Sequence, residues 1–184
     1  MILPIRAYGD PVLRKICQSI TSDFPGLNQL IENMFETMYE SNGVGLAAPQ
    51  VGHDIRLFII DTNAFSDKKI KGVKKIFINA VIIEESGVEW DFEEGCLSIP
   101  KIRENVKRPP KLIIKYQDEN FIWNEESFDD MAARVIQHEF DHIEGVLFID
   151  HLSPLKKQLI KGKLINISKG KVDVDYKMKF YFKK

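Results

Sequence analysis

Residues 127–145 read SFDDMAARVIQHEFDHIEG. Ser127 offers a hydroxyl for an N-cap, Asp129 and Asp130 suit the positive end of a helix dipole, and Gly145 stands where a chain leaves a helix. The pattern predicts a helix over 128–144. Within it, His138-Glu139-Phe140-Asp141-His142 sets two imidazoles four positions apart on one face, where both reach a single metal ion and Glu139 falls beside the ion's water. Two histidines leave such an ion short of a protein ligand. Cys96, in Glu94-Gly95-Cys96-Leu97-Ser98, is the candidate third ligand, at the end of a β stretch and beside a glycine. One thiolate and two imidazoles with an open position make a catalytic donor set, not a closed structural one. Cys17 has no such neighbours and reads as a small buried hydrophobe. His53 and His151 lack a partner at ligand spacing and read as structural or surface residues.

Around this helix the chain reads as α+β. Leu27, Leu30, Ile31, Met34, Phe35 and Met38 recur at spacings of three and four, which predicts a helix over 27–41 closed by Asn42-Gly43. Residues 55–61, 75–84, 88–92 and 111–117 are rich in β-branched and aromatic side chains and read as strands. Asp118-Glu119-Asn120 reads as a hairpin turn into 121–123, and residues 62–74 as an exposed, lysine-rich loop. A short basic helix is expected over 154–163. From Val172 to Phe182 apolar and polar residues alternate, the pattern of a half-buried strand. The architecture expected is mixed, mostly antiparallel sheets packed around the long helix of 128–144. A single catalytic domain would span 1–167, with 168–184 a lysine-rich tail that adds an extra strand.

Composition narrows the class. The chain has 184 residues, 44% of them hydrophobic and 29% charged, which excludes a disordered or collagen-like chain. No apolar run is long enough to span a membrane. The start, Met1-Ile-Leu-Pro-Ile-Arg6, carries no export pattern, and two cysteines are too few for a disulfide framework, so a reducing cytoplasm is expected. The net charge of -1 hides an asymmetry: residues 156–184 carry ten lysines against two aspartates. Such a tail suits an anionic surface such as RNA, or is simply solvated.

A third segment, Gly43-Val44-Gly45-Leu46-Ala47-Ala48-Pro49-Gln50, follows a helix and is interrupted by Pro49, so it is no dinucleotide fingerprint. Its small residues permit close approach of another backbone, and Gln50 offers a neutral amide. Together the glutamine loop, the Glu-Gly-Cys-x-Ser turn and the His-Glu-x-x-His helix resemble the motif set of the peptide deformylases, all three in family order. The likeness extends to Asp10-Pro11-Val12-Leu13-Arg14-Lys15 and Ser153-Pro154-Leu155-Lys156 and so spans most of 4–160.

The resemblance implies removal of the N-formyl group from the initiator methionine of nascent polypeptides, with release of formate. Cys96, His138 and His142 would hold the metal, whose activated water attacks the formyl carbon. Glu139 would be the general acid and base, and Gln50 with the Leu97 N–H would hold the developing oxyanion. Met131 and Val135, seven and three positions before His138, would join Val44 in lining a pocket for the methionine side chain, while the backbone of Val44-Gly45 pairs with the peptide as an added strand. Asp141 and Glu94 are expected to orient other groups, Asp141 a ligating imidazole and Glu94 paired with Arg103 or Arg108. The resemblance favours ferrous iron in the cell; zinc, nickel or cobalt also suit the ligands. It further implies a monomer in the bacterial cytoplasm, or an organelle enzyme without its targeting peptide; the lysine excess of 156–184 separately suggests a contact with the ribosome. Two other readings stand beside it. One is a zinc endopeptidase on the same helix. The other is a non-catalytic, metal-stabilised ribosome-binding module.

Overall fold

The computed structural model describes residues 1–65 and 72–182. Helix α1 (Leu27–Glu40) buries Leu27, Leu30, Ile31, Met34 and Met38 and ends at Asn42, whose positive φ of 54° turns the chain back. Strand β2 (Gly45–Ala47) follows at once and pairs antiparallel with β3 (Leu57–Asp61). Strand β4 (Lys74–Ser86) adds to β3, and β7 (Lys111–Gln117) and β8 (Trp123–Asp129) complete a five-stranded antiparallel sheet in the order β2-β3-β4-β7-β8.

This sheet is covered on both faces, which is why β3 is apolar without alternation. Leu57 and Ile59 pack with Met34, Met38 and Leu46 beneath α1. Phe58 and Ile60 face the other way, with Phe77, Ile114, Phe128, Ala133, Ile136 and Ile143. The last three belong to helix α2 (Asp130–Ile143), the long helix expected from the sequence. A separate hairpin, β5 (Trp90–Cys96) and β6 (Ile99–Arg108), packs with helix α3 (Pro154–Ser168) in another core holding Ile102, Val106, Phe148, Ile160 and Leu164. The α+β architecture, antiparallel sheets around a central helix, is as expected.

Several boundaries differ, each for a physical reason. The strand expected at 121–123 is instead β8, because Asp118 holds the turn open through bonds from the Asn120 and Ile122 N–H groups. Ladder pairing with β7 then carries strand geometry to Asp129. Ser127 therefore lies in a strand and does not cap the helix; Asp129 stands at that cap without a side-chain bond. Strand β6 has no counterpart in the sequence reading. Its inward positions are Ile102, Glu104, Val106 and Arg108, two of them charged, so the alternation is masked. The β stretch expected over 88–92 runs on to Cys96, with Glu94 on its buried face. Helix α3 continues five residues past 163, since Leu164 and Ile167 are buried.

The tail alternates as expected: Val172, Val174, Tyr176, Met178 and Phe180 are half-buried and the residues between them exposed. Among the described residues of the tail, β9 (Met178–Lys179) alone forms a ladder, parallel to β1 (Ile5–Arg6). The exposed loop expected at 62–74 falls partly outside the described residues, at 66–71; Thr62 and Val73 at its base are hydrogen-bonded to each other. Among the described residues no helix is long and apolar enough to cross a membrane.

Candidate active site

Helix α2 and the end of β5 bring the three candidate ligands together. The donor atoms of Cys96, His138 and His142 all lie within 4.8 Å of one another, and Cys96 Sγ is 3.3 Å from His142 Nε2. Burial raises the Cys96 thiol, but the charge of His142 and hydrogen bonds from both imidazoles outweigh it and bring the pKa down to about 5. A thiolate is thus the natural state of this sulfur, as a metal ligand requires. His138 Nδ1 is 2.9 Å from Glu94 Oε2, which leaves its Nε2 for the site. His142 Nδ1 is buried with no partner among the described residues. A borderline-soft divalent metal fits this donor set.

Glu139 follows His138 on α2 and is 4% exposed, with Oε2 lacking a hydrogen-bond partner among the described residues. Burial raises its pKa, against the charges of His138 and His142, to about 7. It packs directly over Gly45: a Cβ at that position would lie 2.8 Å from both Cγ and Cδ of Glu139. At Gly45 the small residue admits the Glu139 side chain, and at Gly43 a Cβ would lie 3.3 Å from the Met38 carbonyl oxygen. Gln50 is buried nearby. Its Oε1 accepts from the Ala47 N–H at 2.8 Å, which turns the amide nitrogen toward Cys96 Sγ and Ser98 Oγ, each at 3.4 Å. Leu97 and Ser98 form the two-residue turn that joins Cys96 to Ile99.

Gly45, Gln50, Cys96, Leu97, His138 and Glu139 border one cavity of about 610 Å³, lined also by Val44, Met131 and Val135. Met131, Val135 and His138 share a face of α2, as their spacing predicts.

Behind the ligands lies an ion network that sequence reasoning found only in part. Glu94 receives Arg108 at 2.8 and 3.1 Å and Arg134 Nη1 at 3.0 Å, all three side chains buried. Of the two partners expected for Glu94, Arg108 is the one; Arg103 pairs with Glu93. Arg134 was missed, although its position four residues before His138 on α2 is a legible signal. Asp141 touches neither ligating imidazole. It binds Arg108 Nη1 and His151 Nε2, both at 2.8 Å, so it is Glu94 that orients a candidate ligand, and His151 has a structural role. The tail enters as well: Val174, Asp175 and Tyr176 line the cavity.

A family model described as polypeptide deformylase matches residues 2–158. The chain belongs to the peptide deformylase family. The chain is 58% identical to the peptide deformylase of Cytophaga hutchinsonii, with all of both chains covered. It is also 58% identical to that of Flavobacterium johnsoniae, over 98% of this chain and 96% of the relative. The crystal structure of the Thermus thermophilus deformylase superposes with a TM-score of 0.83 at 37% identity, covering 92% of this chain and 99% of that one. The activity is that of the family: metal-dependent hydrolysis that removes the formyl group from N-formylmethionine. It takes precedence over the endopeptidase and the inert binding module.

Proposed function

We propose that Glu139, Gln50 and Leu97 perform the deformylation at a metal held by Cys96, His138 and His142. The observation that carries this reading is the buried Glu139 carboxylate, unpartnered at Oε2 and raised to about 7, on the helix that supplies both histidines. A divalent metal bound there supplies Lewis acidity, polarising the formyl oxygen and acidifying a water. Glu139 accepts the proton of the attacking water and passes it to the departing amine as the C–N bond breaks, yielding formate and a free N-terminus. The Gln50 amide, its orientation set by Ala47, and the Leu97 N–H donate to the formyl oxygen as charge grows on it.

Val44, Met131 and Val135 form the pocket for the methionine side chain. The substrate backbone adds to β2, which is an edge strand. The Val44 carbonyl already accepts from the Asp61 N–H at 2.8 Å, so ladder alternation turns the Gly45 N–H and C=O outward, to the open edge. Main-chain pairing of this kind is indifferent to sequence, which suits an enzyme that meets every new polypeptide.

Ferrous iron is the proposed metal in the cell, with zinc, nickel and cobalt as ions the same ligands accept. The catalytic unit is proposed as residues 1–167, acting as a monomer in the bacterial cytoplasm, with 168–184 appended to it. Docking on the ribosome is proposed through α3 and the tail. Helix α3 carries Lys156, Lys157, Lys161 and Lys163 together with exposed Leu155 and Leu159. Co-sedimentation with ribosomes that weakens as salt rises is the expected result; binding indifferent to salt would remove the basis for this contact.

The decisive experiment measures formate release from a formyl-Met peptide by anaerobically purified protein, with metal content read on the same samples. Wild type is expected to be active, Glu139→Gln inactive with metal retained, and Cys96→Ser inactive with metal lost. Metal-loaded wild type that releases no formate would overturn the reading.

A further inference from the structure

The Tyr176 hydroxyl donates to the Leu97 carbonyl at 2.8 Å, although the two residues stand far apart in sequence. Leu97 and Ser98 are the whole of the turn between β5 and β6, so this bond reaches the segment carrying both the Cys96 thiolate and the Leu97 N–H. The turn is held from a second direction by the Tyr8 N–H, which donates to the Ser98 carbonyl at 2.8 Å. Tyr8 and Tyr176 are themselves tied together. The Ile5 N–H donates to the Lys177 carbonyl at 2.9 Å and the Ala7 N–H to the Lys179 carbonyl at 3.0 Å, clamping the tail along β1. Turn, N-terminal strand and tail thus close a triangle beside the cavity, which Val174, Asp175 and Tyr176 also line. Burial holds the phenol above its ordinary pKa, so it remains a donor at any pH the enzyme meets.

We propose that Tyr176 is a positioning residue for the deformylation: its bond to Leu97 holds the Cys96-Leu97-Ser98 turn so that the Leu97 N–H stays aimed at the formyl oxygen. The proposal rests on the role given above to the Leu97 N–H. A two-residue turn has few internal bonds to keep it rigid, and the peptide plane carrying the Leu97 carbonyl adjoins the plane carrying its N–H. Without the hydroxyl, the Leu97 carbonyl loses this anchor, while Ser98 keeps its bond from the Tyr8 N–H and its contact with the Gln50 amide. Oxyanion donors act by being fixed before charge develops, so small displacements cost rate rather than substrate affinity. The appended tail then steadies the catalytic turn from outside residues 1–167.

The test is Tyr176→Phe, which keeps the ring and removes only the donor, assayed as metal-loaded full-length protein on a formyl-Met peptide. Wild type and Gln50→Ala run beside it. The expected result is a kcat lowered roughly 10- to 100-fold, the range a misplaced catalytic group produces. KM stays within about twofold, and metal content and melting temperature match wild type. An unchanged kcat in Tyr176→Phe would overturn the proposal; if Gln50→Ala is impaired in the same series, the reading of the oxyanion site survives it. A kcat that falls together with metal content or melting temperature would also overturn it, in favour of a purely structural tail. Inactive wild type would sink proposal and activity alike, and the unvaried protein reveals that case directly.

Discussion

Glu139 and Gly45 act as one unit. Gly45→Ala pushes a methyl group into the Glu139 side chain, whose Cγ and Cδ would both lie 2.8 Å away. The carboxylate end is flexible enough to move, so the expected cost in stability is modest, about 1–3 kcal/mol. The cost in kcat should be far larger, since the displaced group is the proposed base. Steady-state assays alongside urea unfolding separate the two, and a fully active Gly45→Ala would show that Glu139 tolerates displacement. Glu94 behaves differently. Glu94→Ala strands Arg108 and Arg134 as buried, under-compensated charges, a change that typically costs about 3–5 kcal/mol. It also releases His138, for which a loss of about 10- to 100-fold in metal affinity is expected, read by chelator competition. The proposed ligands, the proposed base and Gln50 were legible as residue types at fixed spacings within short local segments. Arg134 and the rerouting of Asp141 to His151 were not, because they depend on which side chains β5, β6 and α2 turn toward one another.

At the scale of elements, the helices and the apolar strands follow from periodicity, while the polar hairpin partners do not. Strand β6 hides because Arg108 occupies an inward position that an alternating pattern assigns to an apolar residue. The long strand β4 depends on a similar substitution. Asn79 has a φ of +52° at an irregularity in its pairing with β7. Its side chain accepts from the Ile20 N–H at 2.9 Å and donates to the Ile20 carbonyl at 2.8 Å and to Gln117 at 2.7 Å. Asn79→Ala leaves that buried backbone pair without partners, and a destabilisation of about 1–3 kcal/mol is expected by chemical denaturation. A neutral result would mean that water replaces the amide at this bend.

For the whole molecule, the proposed metal ligands come from β5 and α2, elements of two different cores, so an ion bound there would join the β5–β6 hairpin to the sheet-packed helix. Removing it should lower the melting temperature, and saturating metal should restore it; a free concentration a thousand times Kd corresponds to about 4 kcal/mol. Glu139→Gln should show the same metal-dependent shift as wild type and Cys96→Ser little or none. A melting temperature indifferent to chelation in wild type would indicate that the two cores dock without help from the ion.

The sequence by itself determined the α+β class, the helices α1 and α2, and which residues are proposed as metal ligands, base and amide donor. Each of these is written in local spacing: three- and four-residue periodicity for the helices, His138 and His142 one turn apart, and short motifs around Cys96 and Gln50. What only the tertiary structure decided are relations between distant segments. Among them are the partners of Glu94, the close approach of Glu139 to Gly45, and the tail drawn in beside Leu97 by a two-residue ladder. The reason is physical. Helix geometry is set by bonds within a few residues, whereas a buried charge or an edge strand is specified by whatever segment packs against it, and that partner exists only once the chain has folded.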